Sequence, residues 1–147
     1  MPTIKRFEDV EAWKTGRLLA QRIYALTDAG HWSRDFALKD QIRRSSISIM
    51  SNIAEGFETG SDPQFARYLA YAKGSAGELR AQLYVAFDAH YVDEESFKSL
   101  RELAEQCSRQ LYGLIAYLQT GQGTRRVKDD AGIYPEDQDG PGWRRHF

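Results

Sequence analysis

The densest group of polar side chains in this sequence is built of arginine, serine and amide rather than of acid and base. It runs Gln41-Ile42-Arg43-Arg44-Ser45-Ser46 and resumes at Asn52-Ile53-Ala54-Glu55-Gly56. Arg44, Ser48 and Asn52 are spaced by four, which on a helix sets them on one face, with Arg43 one position round. Two kinds of chemistry suit such a set. An arginine could pair with Glu55 or with Glu78 of a neighbouring helix while Asn52 is hydrogen-bonded beside it, since buried charge needs a partner. Alternatively Arg43 and Arg44 could face outward and hold phosphate, as the Lys5-Arg6 and Arg125-Arg126 pairs also could. Both hold if the two arginines point differently.

Other chemistries lack their residues. A di-iron bundle needs two Glu-x-x-His motifs and two more glutamates. Here His90 has Phe87 three positions before it, and His31 has Asp28 across Gly30. One cysteine and three scattered histidines give no zinc spacing. Cys107 falls on an apolar helical seam and reads as a small buried hydrophobe. Gly74-Ser75-Ala76-Gly77 lies inside a helical run, so it is no phosphate loop. With no nucleophile, base and orienting group in sight, the expectation is a protein without catalytic residues, metal or cofactor, and not an enzyme.

The elements that carry these residues are helical. Val10, Trp13, Ala20, Ile23 and Leu26 recur at helical spacing over about 7–29, with Gly30 as the terminator. Leu38, Ile42, Ser45, Ile49 and Ile53 mark a second helix from about residue 33 or 35 to Glu55, closed by Gly56. Asp62 as cap and Pro63 at the first position open a third. Its seam is Phe65, Leu69, Ala72, Ala76, Leu79, Leu83 and Ala86, a strict 4-3-4-3 alternation that keeps one face toward partners. A fourth, from about Asp93 to Gln119, has Phe97, Leu100, Ala104, Cys107, Leu111, Leu114 and Leu118. Strand signals are absent and the connections are short, so the fold expected is an all-α, antiparallel up-down-up-down four-helix bundle. Gly74 and Gly77, each costing roughly 0.8–1 kcal/mol against alanine in a helix interior, suggest a close approach of the third helix to the serine-rich second.

The 147 residues, 41% hydrophobic, suffice for one self-supporting domain. The predicted division is a bundle domain over 1–121 and a polar, Pro/Gly-punctuated, flexible tail over 122–147, in which Ile133, Tyr134, Trp143 and Phe147 could dock. A lone cysteine marks no oxidising compartment, and neither an apolar leader nor a membrane-length run is read in the sequence. The location expected is cytoplasmic, with no membrane partner. The net charge of −1 argues against a uniformly basic nucleic-acid binder but allows a local patch. Tyr68, Tyr71, Tyr84 and Tyr91 lie off the main seam, where an apolar body with a polar tip suits a subunit interface.

Two blocks resemble a known family. Residues 36–56, with Gln41-Ile-Arg-Arg44 and Ser51-Asn-Ile-Ala-Glu-Gly56, are similar to its "QIRRAAxSIPSNIAEG" signature. Residues 64–83, with Lys73-Gly-Ser-Ala-Gly-Glu78-Leu, are similar to its "EFxxFLxIAxGSLxELxTQL" stretch. Phe7, Val10, Trp13 and Ile23-Tyr24 also fit, so the likeness spans about 4–118. This is the four helix bundle protein family, also called the 23S rRNA intervening-sequence or S23 family, with accessory proteins of diversity-generating retroelements as distant relatives. The resemblance implies a barrel-like homopentamer of four-helix protomers without established catalysis. In the retroelement relatives, basic surface faces nucleic acid and a reverse transcriptase. Met50 stands where the signature has proline. The function expected is an oligomeric scaffold that binds RNA or a ribonucleoprotein partner; the alternative is a protein-interaction module that recognises partners through its tail.

Overall fold

The structure is a computed structural model that describes residues 4–120; the tail, and with it Arg125 and Arg126, lies outside the described residues. Four helices make an antiparallel bundle: α1 (Glu11–Thr27), α2 (Phe36–Thr59), α3 (Asp62–Asp88) and α4 (Glu94–Gln119). Short 3-10 turns at Phe7–Asp9 and Gly30–Arg34 precede α1 and α2. Each helix packs on its sequence neighbours, and α4 closes on α1; the α2–α3 seam is the most extensive and the α1–α4 seam the loosest.

Polar side chains set the starts. Asp35 Oδ1 accepts from the Leu38 N–H at 3.1 Å, Ser61 Oγ from Gln64 at 3.3 Å and Asp93 Oδ1 from Ser96 at 2.7 Å, each satisfying an N–H left open by the first turn. The Ser96 N–H and hydroxyl also hold the Asp93 carboxyl below its ordinary range. Ser61, rather than Asp62, is thus the cap of α3, and Asp62 is its first residue.

The stripes predicted for α2, α3 and α4 are buried at every position named. That of α1 is displaced. Its core face is Ala12, Thr15, Gly16, Leu19, Ile23 and Thr27, while Trp13, Ala20 and Leu26 are only half-buried. Periodicity of apolar residues alone could not find a core face that includes two threonines and a glycine. Thr15 is accommodated because its hydroxyl bonds the Glu11 carbonyl at 3.1 Å and Gln110 Oε1 at 2.7 Å.

The glycines also exchange roles. Gly30 does not close α1 but opens the 3-10 turn that follows. Gly56 does not end α2, which continues through it to Thr59, with Gly60 as the left-handed cap at φ 90°. Nor does α2 break at Met50, where no proline removes a backbone hydrogen bond. Gly56 is instead the point where α3 comes closest: a Cβ there would lie 2.5 Å from Tyr68 Cβ and 3.2 Å from Phe65 Cδ1. Gly16 meets Ile49 in the same way, at 2.9 Å. Gly74 and Gly77 have nothing within 4 Å of such a Cβ and are solvent-facing, which overturns their expected part in the α2–α3 contact. The close approach is real, but Gly56 makes it.

Cys107 is fully buried, with Sγ 3.6 Å from the Ala12 carbonyl oxygen, and burial pushes its thiol up to about 12 from an ordinary 9.0.

Two outcomes follow. Gly56→Ala should destabilise the protein by about 1–3 kcal/mol through overpacking, whereas Gly77→Ala should leave it equal or up to about 1 kcal/mol more stable, both read from urea unfolding. Because the folded thiol pKa is raised above the unfolded one, the protonated Cys107 supports the fold fully below pH about 9, and that support is lost as pH rises toward 12. Urea midpoints of the natural protein and Cys107→Ala should therefore converge over that window, and at pH 8 a thiol reagent should modify Cys107 only through opening of the fold.

Candidate nucleic-acid and assembly interfaces

The two arginines of the polar cluster part company. Arg43 turns toward α1: its Nε donates to Thr27 Oγ1 at 2.7 Å and its Nη2 to the Tyr24 carbonyl at 3.4 Å. The guanidinium lies 4.3 Å from the Tyr24 ring centroid, in cation–π range. Thr27, fully buried, donates in turn to the Ile23 carbonyl at 2.7 Å. Arg43 is thus a clamp between α1 and α2. Arg44 faces solvent and, among the described residues, pairs with Asp40 one turn away, at 3.1 Å with both side chains mostly exposed, an interaction worth little.

Neither arginine forms the ion pair expected with Glu55 or Glu78. The physical reason is the roll of the helices. Glu55 and Glu78 are both exposed; Glu55 accepts instead from the Tyr68 hydroxyl at 3.3 Å, which raises the tyrosine's pKa chiefly through the negative charge beside it. Asn52 is hydrogen-bonded as expected, its Nδ2 donating to the Ser48 carbonyl at 2.8 Å and to Ser48 Oγ at 3.0 Å. Ser48 Oγ meets Ser75 Oγ across the α2–α3 seam at 2.8 Å. A shallow polar groove between the same helices is lined by Gln41, Arg44, Ser45, Ser48, Glu78 and Gln82, so Arg44 and Glu78 share a groove without bonding.

The basic residues proposed for phosphate contact are not gathered. Lys5 and Arg6 stand at the end of the bundle where α1 starts and α2 finishes; Arg6 is exposed and lies 3.6 Å from both Glu8 and Asp9. Arg44 belongs to the first half of α2, toward the opposite end.

The four off-seam tyrosines divide too. Tyr91 is an internal strut: its hydroxyl donates to Asp35 Oδ2 at 3.2 Å, its carbonyl accepts from Trp32 Nε1 at 3.2 Å, and its ring lies 5.3 Å from that of Trp32. Tyr68, half-buried, covers Gly56 and holds Glu55. Tyr71 and Tyr84 stay exposed at 41% and 47%. Tyr84 packs on Phe97 of α4 with ring centroids 5.0 Å apart, and Tyr71 on Tyr68 at 5.8 Å.

Between those two tyrosines the outward face of α3 carries Gly74, Gly77, Glu78 and Ala81, with Val85 just past Tyr84, all exposed, Val85 at 54%. Ala81 and Val85 were missed as interface candidates. The signal lay in the charges, for between Gly74 and Phe87 the only ionisable side chains other than Tyr84 are Glu78 and Arg80, too few for the solvent face of a surface helix.

Among the described residues no three of His, Cys, Asp and Glu converge as metal ligands, and Cys107 has no base against it. No described helix is long and apolar enough to cross a membrane.

Comparison with known proteins gives the chain its place. No curated protein matches it. Among solved structures, a protein of unknown function from the S23 ribosomal protein family of Bacteroides thetaiotaomicron VPI-5482 superposes with a TM-score of 0.65. It is 24% identical and covers 71% of this chain and 97% of its own, a likeness that speaks for the fold alone. The model of the 23S rRNA-intervening sequence proteins matches residues 8–113, well over half the chain, from before α1 to most of the way along α4. That span takes in the arginine clamp, the Gly56 contact and the outward face of α3, and by it this chain belongs to the 23S rRNA-intervening sequence protein family.

Proposed function

We propose that the chain is a non-enzymatic scaffold whose copies assemble through the outward face of α3 and bind RNA through basic side chains at the Lys5–Arg6 end of the bundle. The observation that carries this reading is the face itself. A helix of 27 residues buries one complete seam inside the protomer and then, on the opposite side, presents Gly74, Gly77 and Ala81 between Tyr71 and Tyr84, with Val85 just beyond. Interior glycines facing open solvent cost helix stability and return nothing within one protomer. Against a second helix, small residues permit close approach, and the tyrosines suit an interface rim. The likeness to the four helix bundle proteins favours a closed ring of five.

RNA is the ligand class to which the family's description points. One protomer of net charge −1 is a weak attractor, but a ring repeats each basic pair around its axis and sums their fields. Lys5 and Arg6 lead into the bundle at the end where α4 finishes at Gln119.

Light scattering of the purified full chain should give a multimer. Val85→Glu, which adds a second charge to the face beside that of Glu78, should shift it to monomer with helical circular dichroism unchanged. Anisotropy with a structured RNA at low salt should show binding that weakens steeply as salt rises, and Lys5→Gln/Arg6→Gln should lower the log–log slope by about 2. A monomer at all concentrations would remove the assembly half of the reading; no binding at low salt would remove the RNA half. If RNA binding is absent while deletion of residues 122–147 abolishes capture of a protein partner, the chain is an interaction module instead.

A further inference from the structure

On the α3–α4 seam two arginines share one acid. Arg80 of α3 brings Nη2 to 3.4 Å from Glu105 Oε1, and Arg101 of α4 brings Nε to 3.8 Å from the same oxygen. The side chains of Arg80, Glu105 and Arg101 are 40%, 35% and 29% exposed. Arg43, which clamps α1 to α2, has its Nε bonded at 2.7 Å. The Nε of Arg80 and that of Arg101 are instead shut off from solvent with no hydrogen bond among the described residues.

One carboxylate offsets one guanidinium, so a half-buried positive charge is left over. The neighbouring charges do not cancel it. Lys98, three positions before Arg101, is held by Glu94 at 3.1 Å. The hollow that borders Glu105 on the α1 side holds Glu102 with Arg22 and Arg109, two more guanidiniums for one more acid. Lys73, two turns before Arg80 on the same side of α3, makes no ion pair among the described residues and adds to the surplus. Unpaired charge is costly where solvent is partly excluded, and a clasp between two helices needs only one arginine for its acid. Arg101 is also held in position. Its guanidinium lies 5.5 Å from the Phe97 ring centroid, and Phe97, 5% exposed, is packed between Tyr84 at 5.0 Å and Phe87 at 4.6 Å. A guanidinium fixed in this way meets an anion with little further loss of freedom.

The chemistry of that anion follows from its oxygens. A carboxylate has two, and one planar guanidinium fork occupies both. Two forks from different helices need a third oxygen, which a tetrahedral phosphate supplies, and the one or two negative charges of a phosphate match the surplus. We propose that Arg80 and Arg101 form a phosphate-binding pair across the α3–α4 seam. Glu105 is its internal competitor, holding both guanidiniums in place until a phosphate takes them. The pair stands past the middle of α3, away from Lys5 and Arg6, and does not rest on the assembly or RNA reading.

The competitor gives the test its sign. With inorganic phosphate as the probe at constant ionic strength, the phosphorus NMR resonance should shift and broaden on addition of the full natural chain, with half-saturation on the order of millimolar. Arg80→Gln and Arg101→Gln should each weaken binding roughly tenfold, the worth of one charge-assisted hydrogen bond. Glu105→Gln should tighten it by roughly the same factor, because both forks are released; a gain of affinity cannot come from a folding failure. Glu102→Gln makes the same change in net charge one helical step away and should leave the affinity within about twofold. Two sources of phosphate are then separated. RNA anisotropy that falls with Arg80→Gln/Arg101→Gln assigns the pair to an RNA backbone, and RNA binding left unmoved while AMP displaces the phosphate assigns it to a small phosphate ester. Absence of phosphate binding by both the natural chain and Glu105→Gln overturns the pair. So does binding that the arginine substitutions leave unchanged, or a tightening by Glu102→Gln equal to that by Glu105→Gln. Failure of RNA binding at the Lys5–Arg6 end leaves it standing.

Discussion

The bundle hangs on the contact between α2 and α3 at Gly56. A methyl group there would collide with the Cβ of Tyr68, an atom that cannot swing aside, so the two helices can pack as they do only with glycine at this position. That distance then fixes the rest of the seam. Ser48 and Ser75 come within hydrogen-bond reach, Ala72 and Ala76 fit where larger side chains would not, and both are fully buried. It also fixes the roll of α3. With Phe65, Leu69, Leu79 and Leu83 turned inward, Gly74, Ala81 and Val85 must turn outward, since they lie on the far side of a 3.6-residue helix. The surface proposed for assembly is thus a consequence of the interior.

Buried polar groups in this protein fall into two kinds. Thr27, Thr15 and Ser46 are buried, and each hydroxyl finds a carbonyl one turn back, with Arg43 and Gln110 adding cross-helix bonds to the two threonines. Such groups hold the helices in register at little net cost. Buried side-chain atoms of Asp62, Arg80, Gln82, Arg101 and Tyr117 are the other kind, without a hydrogen bond among the described residues. All five belong to α3 and α4, and they are spread from the start of α3 to the end of α4 rather than gathered at one place.

Much of this was legible in the sequence, and what was not has common physical causes. The seams of α2, α3 and α4 could be read because their core positions are apolar or small at regular spacing. The core face of α1 could not, because threonines whose hydroxyls bond their own backbone count as polar in any pattern and as apolar in the fold. The caps Asp35 and Asp93 are local and readable; that Ser61 caps α3 in place of Asp62 turns on one residue of register. Gly56 reads as a stop because a glycine after a helical run usually is one, and only its distance to Tyr68, set by tertiary packing, reveals otherwise. The Arg43–Thr27–Tyr24 clamp joins residues sixteen and more apart, and no short-range rule distinguishes Arg43 from Arg44.

The two ends of the bundle follow from these differences. At one end Trp32, Tyr91 and Asp35 close a hydrogen-bonded aromatic cap. At the other, Lys5 and Arg6 are exposed, and Arg6 lies 3.6 Å from Glu8 and from Asp9, carboxylates that are themselves partly exposed and hold it weakly. On the RNA reading proposed above, a phosphate that displaces them gives up little. Its gain at Arg6 would then be nearly the whole of one contact, and a chain of near-zero net charge could keep non-specific attraction to nucleic acid low while one end of the bundle stays open to it.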